Sequence, residues 1–150
     1  MIDFEYNGKF YQAFDKASAL SAGVPLSVWN EKYLAHIKAK KLTQFNAAAE
    51  REIAALVSTY PPSEVASFPK QETEARAWLA DNAAVTPLLD SLAESRGMAK
   101  AELVDKVIIK ADSFAVASGE IIGKRQKLED ALAALAADNA PEQDYQALTW

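Results

Sequence analysis

The chain opens with an apolar period of two and then changes, for most of its remaining length, to periods of three and four. In "IDFEYNGKFYQAF" apolar side chains recur at alternate positions on both sides of Asn7-Gly8, the pattern of a half-buried strand pair. Asn-Gly is the preferred centre of a two-residue type I′ turn, because both positions need a positive φ. The register that follows sets Tyr6 opposite Lys9, Phe4 opposite Tyr11 and Ile2 opposite Ala13, with Ile2, Phe4, Tyr6 and Tyr11 on one face. An isolated hairpin is marginal in water, so this face is expected to lie on helices of the same chain or on a partner.

Helical spacing begins after "SAGVPL". Ser27 is placed to cap a helix whose stripe runs through Trp29, Tyr33 and Ile37, and a second stretch with the same period runs from Leu42 through Phe45, Ala49, Ile53 and Leu56 to Tyr60. Between them the stripe misses a beat at Lys38 to Lys41, where a bend or break is expected. Pro61-Pro62 closes the segment, since proline cannot continue a helix and the residue before it avoids helical geometry. A helix restarts at Pro69, with Glu72 and Glu74 near its positive end and Trp78 and Leu79 as its expected buried residues. The stretch "VTPLLDSLAESRG" carries Thr86 as cap, Pro87 in the first position, Asp90 as the acid of a capping box and Gly97 as stop.

From about residue 100 to residue 138 nothing interrupts the helical pattern except Gly119 and Gly123, which predicts a helix about 60 Å long at about 1.5 Å per residue. Val104, Val107, Ala111, Phe114, Ser118, Ile121, Arg125, Leu128, Leu132 and Leu135 alternate by three and four, the spacing of a coiled-coil seam. Beside the seam, Ala115, Gly119 and Gly123 form a row of small residues on one face. Each interior glycine costs a helix about 1 kcal/mol relative to alanine. The expected compensation is a second helix crossing closely over the row, with Phe114, Ile121 and Leu128 on the adjoining seam. Ser118 and Arg125 are polar intrusions suited to fixing register.

Composition strengthens the helical reading. Alanine makes up about a fifth of the 150 residues, with five glycines and six prolines, and alanine is the strongest helix former. The fold expected is mainly α: an N-terminal β-hairpin followed by a helical region with a long C-terminal coiled-coil-like helix. Its segments are a hairpin at 1–24, helices at 25–60, a helical domain at 61–138 and an acidic tail at 139–150, "PEQDYQALTW" being free of bases and open to folding on a partner. The formal net charge of −5 disfavours nucleic acid as the main partner, Lys38, Lys40 and Lys41 forming a solvated helix face. No apolar run of about 18 residues marks a membrane span, and the first ten residues lack the charge and apolar order of a signal peptide. With no cysteine there is no thiolate ligand or nucleophile, and a reducing cytoplasm is the natural setting.

Catalytic patterns are missing as well. His36 is the only histidine and lacks metal-ligand spacing, no serine has the Gly-x-Ser-x-Gly context, and "GEIIGKR" is one residue short of a phosphate loop, with Arg125 where Ser or Thr belongs. Paired acids such as Glu72 with Glu74 and Glu129 with Asp130 read as surface charge. The expectation is a protein without enzymatic activity, cofactor or metal.

Four pieces, "KQETEARAWLAD", "TPLLDSLAESRG", "AELVDKVIIKAD" and "ASGEIIGKRQKLEDA", make the stretch Tyr60 to Leu132 resemble a helical domain of uncharacterised function in tailed-bacteriophage and prophage proteins, many of them described as tail-fibre assembly proteins. The closing "ALTW" is similar to the aromatic C-termini of that group. Phe68 stands where the pattern usually has tryptophan, and Ala99 where it has an acid or serine cap. The resemblance implies an assembly chaperone in the bacterial host cytoplasm, binding a phage tail fibre or tail protein during morphogenesis. It offers no active site. A fibre that folds slowly as an intertwined oligomer exposes apolar edges, and such edges aggregate unless covered. Partner contacts are expected from Phe4, Tyr6 and Tyr11 on the hairpin and from Tyr145, Leu148 and Trp150 in the tail, with homo-oligomerisation through the long helix. The rival readings are an adaptor subunit retained in the virion tail and a general coiled-coil interaction module.

Overall fold

The computed structural model describes residues 1–150. The element order is β1 (Ile2–Tyr6), β2 (Lys9–Phe14), α1 (Lys16–Ser21), α2 (Leu26–Leu56), α3 (Pro62–Val65), α4 (Phe68–Ala80), α5 (Pro87–Arg96), α6 (Lys100–Ala137) and α7 (Glu142–Ala147). The protein is mainly α with an N-terminal antiparallel hairpin, as its periodicities predict. Two compact units form, one from residues 1–49 and 124–150, the other from residues 50–123.

In the first unit, Asn7 and Gly8 take φ of 50° and 71°, the positive values a type I′ turn requires. Tyr6 pairs with Lys9 and Phe4 with Tyr11, but Ile2 pairs with Phe14 rather than Ala13. The register slips because Ala13 bulges out at φ 53°, its N–H donating to Asp3 Oδ1 at 2.7 Å. Alternation alone would point Phe14 away from Tyr11. The extra residue returns the ring to the buried face, where it meets Tyr11 edge-on at 5.2 Å. A left-handed alanine costs about 1–2 kcal/mol, which the partial covering of the Phe14 ring offsets.

That face rests on the chain's own helices. Phe4 stacks on Tyr11 at 4.9 Å and meets Trp29 of α2 edge-on at 5.8 Å, and Ile2, Ala19 and Val24 complete the cluster. Helix α1 starts at Asp15, whose side chain accepts from the Ser18 N–H at 2.8 Å. This bond to the carboxylate holds the Asp15 pKa below its ordinary value. The helix stops at Gly23, φ 83°, with Val24 N–H reaching back to the Ala19 carbonyl at 3.0 Å, the six-to-one bond of a glycine-terminated helix.

Helix α2 corrects two expectations. Its first turn is organised by the Pro25 carbonyl, which accepts from Trp29 N–H at 3.0 Å, so Ser27 lies inside the helix rather than capping it. The helix also runs unbroken through Lys38 to Lys41. No glycine or proline interrupts Leu26–Leu56, lysine is a good helix former, and the missing beat is filled by Lys41, which lies on the same stripe as buried Ile37 and Phe45. Those two side chains, Leu132 of α6 and Tyr145 of α7 form the unit's second core.

The second unit contains the end of α2, α3 to α5 and α6 up to Gly123. Pro61 precedes the short α3, which Pro62 opens. Helix α4 begins at Phe68, and its buried residues are Glu74 and Ala75, with Trp78 half-buried and Leu79 exposed. Positions 71, 74, 75 and 78 form one stripe and Leu79 turns off it. Helix α5 is bracketed as predicted by Pro87 and by Gly97 at φ 63°, with Thr86 in the cap position but its hydroxyl making no cap bond to the backbone. Its capping acid is not Asp90, which lies one residue too far along and pairs with Lys100 at 2.7 Å. Glu74 of α4 supplies it instead: its Oε2 accepts from the Leu89 N–H at 3.0 Å. Lys70 lies 3.2 Å from the other oxygen, close enough to balance the charge although the orientation is not that of a hydrogen bond. Leu89, Ala93, Leu103 and Val104 pack with Ala75 to form this unit's core.

Candidate functional site

At 38 residues, α6 is about 57 Å long at about 1.5 Å per residue, and its predicted seam is used unevenly. In the second unit Val104 is buried and Val107 half-buried, and Lys110 stands over the Tyr60 ring at 4.8 Å. In the first unit Leu132 is buried, Leu128 and Leu135 are partly covered, and Arg125 joins Asn46 of α2 at 3.3 Å and Glu129 at 2.8 Å. Arg125 therefore acts within its own chain, as a polar peg between α6 and α2. Ser118 spends its hydroxyl on the Phe114 carbonyl at 2.7 Å, and Ile121 is half-buried.

The row of small residues is open. A Cβ placed on Gly119 or on Gly123 would meet nothing within 4 Å, so no second helix of this chain crosses there. Ala115 is exposed on the same row. On the helical wheel, Val116 and Ile122 lie on either side of Gly119 and rim the row, and they are 65% and 42% exposed. Ile109 is 66% and Phe114 41% exposed one or two turns earlier. No charged residue falls between Asp112 and Glu120, and Asp112 is tied to Arg76 of α4. A helix that is apolar around most of its circumference is normally enclosed. Here the stretch 113–123 has a notched, aliphatic face with nothing over it.

The other predicted contact residues are already engaged. Phe4 and Tyr11 are buried and Tyr6 is partly buried in the hairpin's own cluster, leaving Phe10, on the opposite face and 64% exposed, as the hairpin's free aromatic. The tail is ordered: Tyr145 is 2% exposed, Leu148 and Trp150 pack against the same core, and Lys124 lies 4.4 Å from the Trp150 ring centre. Lys41 holds this tail by donating to the carbonyls of Gln146 at 3.2 Å and Leu148 at 2.9 Å. Tyr33 donates to Glu142 at 3.2 Å. Partial burial, and then the nearby Glu142 carboxylate, push the Tyr33 pKa up. A cleft of about 300 Å³ beside the tail is lined by Tyr33, His36, Lys40, Lys41, Glu142 and Gln146. The clamp by Lys41 was hidden in the sequence. Its one trace is a lysine standing on an apolar stripe, where the long stem packs and the ammonium finds oxygen.

No group of three His, Asp or Glu side chains is arranged to hold a metal ion, and no helix is long and apolar enough to cross a membrane. Residues 109–150 match the family model of the HI1402 helical domain, a segment that contains the notched face and the whole tail. This match carries no link to tail-fibre assembly proteins. No curated protein and no solved structure matches the chain.

Proposed function

We propose that the protein is a non-enzymatic assembly factor that uses the notched face of α6 to hold an apolar segment of a partner, and that the partner is a phage tail fibre or tail subunit. The observation that carries this reading is the open row Ala115, Gly119 and Gly123 with its aliphatic rim of Val116 and Ile122. Two glycines at successive turns weaken the helix and fill no need inside the chain. They admit a partner's backbone at close range. Covering a well-exposed aliphatic side chain such as Val116 returns on the order of 1–2 kcal/mol, and a few such side chains suit a transient hold. The choice of a fibre as partner, and of the bacterial cytoplasm as the place of action, rests on the resemblance over Tyr60 to Leu132.

The test is to co-express the protein with a tail fibre encoded beside it, measure soluble fibre with and without it, and then probe purified particles for the protein. More soluble fibre and none of the protein in particles supports a transient chaperone. Unchanged solubility with stoichiometric retention makes it a structural adaptor instead.

A further inference from the structure

The cleft beside the tail is formed wholly within the first unit, between α2 and α7. From Lys32 to Ala49, α2 carries four lysines and the chain's single histidine but no acid. His36, Lys40 and Gln44 recur at four-residue spacing, so they stand in one row along the cleft, about 5–6 Å apart at their Cβ atoms. None of these three side chains has a partner within the chain. Lys41 stands beside the row and is half-buried. The Gln146 and Leu148 carbonyls fix its ammonium but do not cancel its charge, no carboxylate pairs with it, and one of its three N–H groups stays free. On the opposite wall Glu142 is the cleft's one acid, and its Oε1 accepts from both the Tyr33 hydroxyl and the Gln146 amide. A half-buried cation without a counter-charge is costly. Here such a cation is held beside open space, with unpaired donors on the same wall.

We infer that this cleft binds a small phosphate monoester, with the phosphate between Lys40 and Lys41 and the organic part against Tyr33 and Ile37. The two ammonium groups balance a group that carries nearly two negative charges at neutral pH. His36 and Gln44, one turn to either side of Lys40, are placed to donate to the remaining phosphate oxygens. The donor set favours phosphate over carboxylate: no arginine lines the cleft to grip a planar carboxylate with its fork, whereas lysines act on phosphate as point charges. At about 300 Å³ the space is that of a small-molecule site, larger than a phosphate ion needs, and the Tyr33 ring and Ile37 give it an apolar side. The net charge of −5 opposes an extended polyanion, so the ligand is a small molecule. This site shares no residue with the notched face of α6 and stands whether or not the partner proposed there is a fibre.

The probe is phenyl phosphate, titrated into the full-length protein at physiological salt and followed by amide shifts in NMR. Saturable shifts centred on Tyr33 to Gln44 and on Glu142 to Gln146 are expected. Lys40→Ala removes an exposed side chain that holds nothing in the fold, and it should weaken binding at least about tenfold, as the loss of a charged hydrogen bond does. Lys38→Ala, from the same basic run but outside the cleft, should leave the affinity nearly unchanged. Inorganic phosphate, without the ring, and benzoate, without the second charge, should each bind several-fold more weakly than phenyl phosphate. The inference is overturned if phenyl phosphate does not saturate, or if either comparison anion binds as tightly. Equal losses in the two lysine variants would also overturn it, since they would mean diffuse attraction to a basic helix rather than a site.

Discussion

Replacing Gly119 and Gly123 by alanine tests whether the notch serves the fold or something outside it. Both glycines lie inside α6, neither has a positive φ, and an added Cβ at either position meets nothing within 4 Å. The only expected effects are a smaller backbone entropy loss and a better-shielded helix, about 0.5–1 kcal/mol for each substitution. Neither added methyl meets another group, so the two propensity gains sum to about 1–2 kcal/mol in the double variant. At roughly 2–4 °C per kcal/mol for a chain of this size, the melting midpoint should rise by about 2–8 °C. Thermal and urea melts followed by circular dichroism measure it. A lower midpoint in either single variant would mean that a neighbouring element of the folded chain occupies the notch.

Other perturbations probe the features that position this surface. Glu74→Ala should destabilise by about 1–3 kcal/mol, since the buried Leu89 N–H loses its acceptor, and Glu74→Gln, which keeps an acceptor, should cost clearly less in urea melts. Ala13→Gly should raise stability by about 0.5–1 kcal/mol by relieving a positive φ of 53°; a loss would show that the methyl is needed in the bulge. Tyr33 has its folded pKa raised by burial and Glu142, so the neutral phenol is the favoured form in the folded state. Its contribution is complete below the unfolded tyrosine pKa of about 10 and is lost as pH rises through the higher folded value, when phenolate and carboxylate face each other. Tyr33→Phe should remove that alkaline loss of stability, read as the difference between wild-type and variant melts across the alkaline range.

The parts of the fold legible in the sequence are those fixed by local chemistry. Asn7-Gly8 dictates its turn, Pro87 and Gly97 bracket α5, and the unbroken period of α6 gives its length to within a residue of the observed end. What the sequence conceals depends on contacts between distant residues. The bulge at Ala13 exists because Phe14 gains a buried face, and the cap of α5 comes from Glu74 on another helix. Lys41 looks like a gap in a stripe until the carbonyls of Gln146 and Leu148 are in place. For the same reason "PEQDYQALTW" reads as free, since only the groove on α2 and α6 shows where Tyr145 goes. The candidate surface was half visible: the spacing of Ala115, Gly119 and Gly123 marks a close approach, but only the structure shows that the approach is not made within this chain.

Whether the notched face of α6 holds a partner is read from the yield of soluble tail fibre on co-expression with wild type and with Gly119→Phe. A Cβ at Gly119 meets nothing within 4 Å, so the substitution puts a ring into the notch without a backbone clash at its root, and unchanged far-ultraviolet dichroism verifies that the fold is kept. The variant should lose most of the wild-type gain in soluble fibre. A variant that solubilises the fibre as well as the wild type would contradict it.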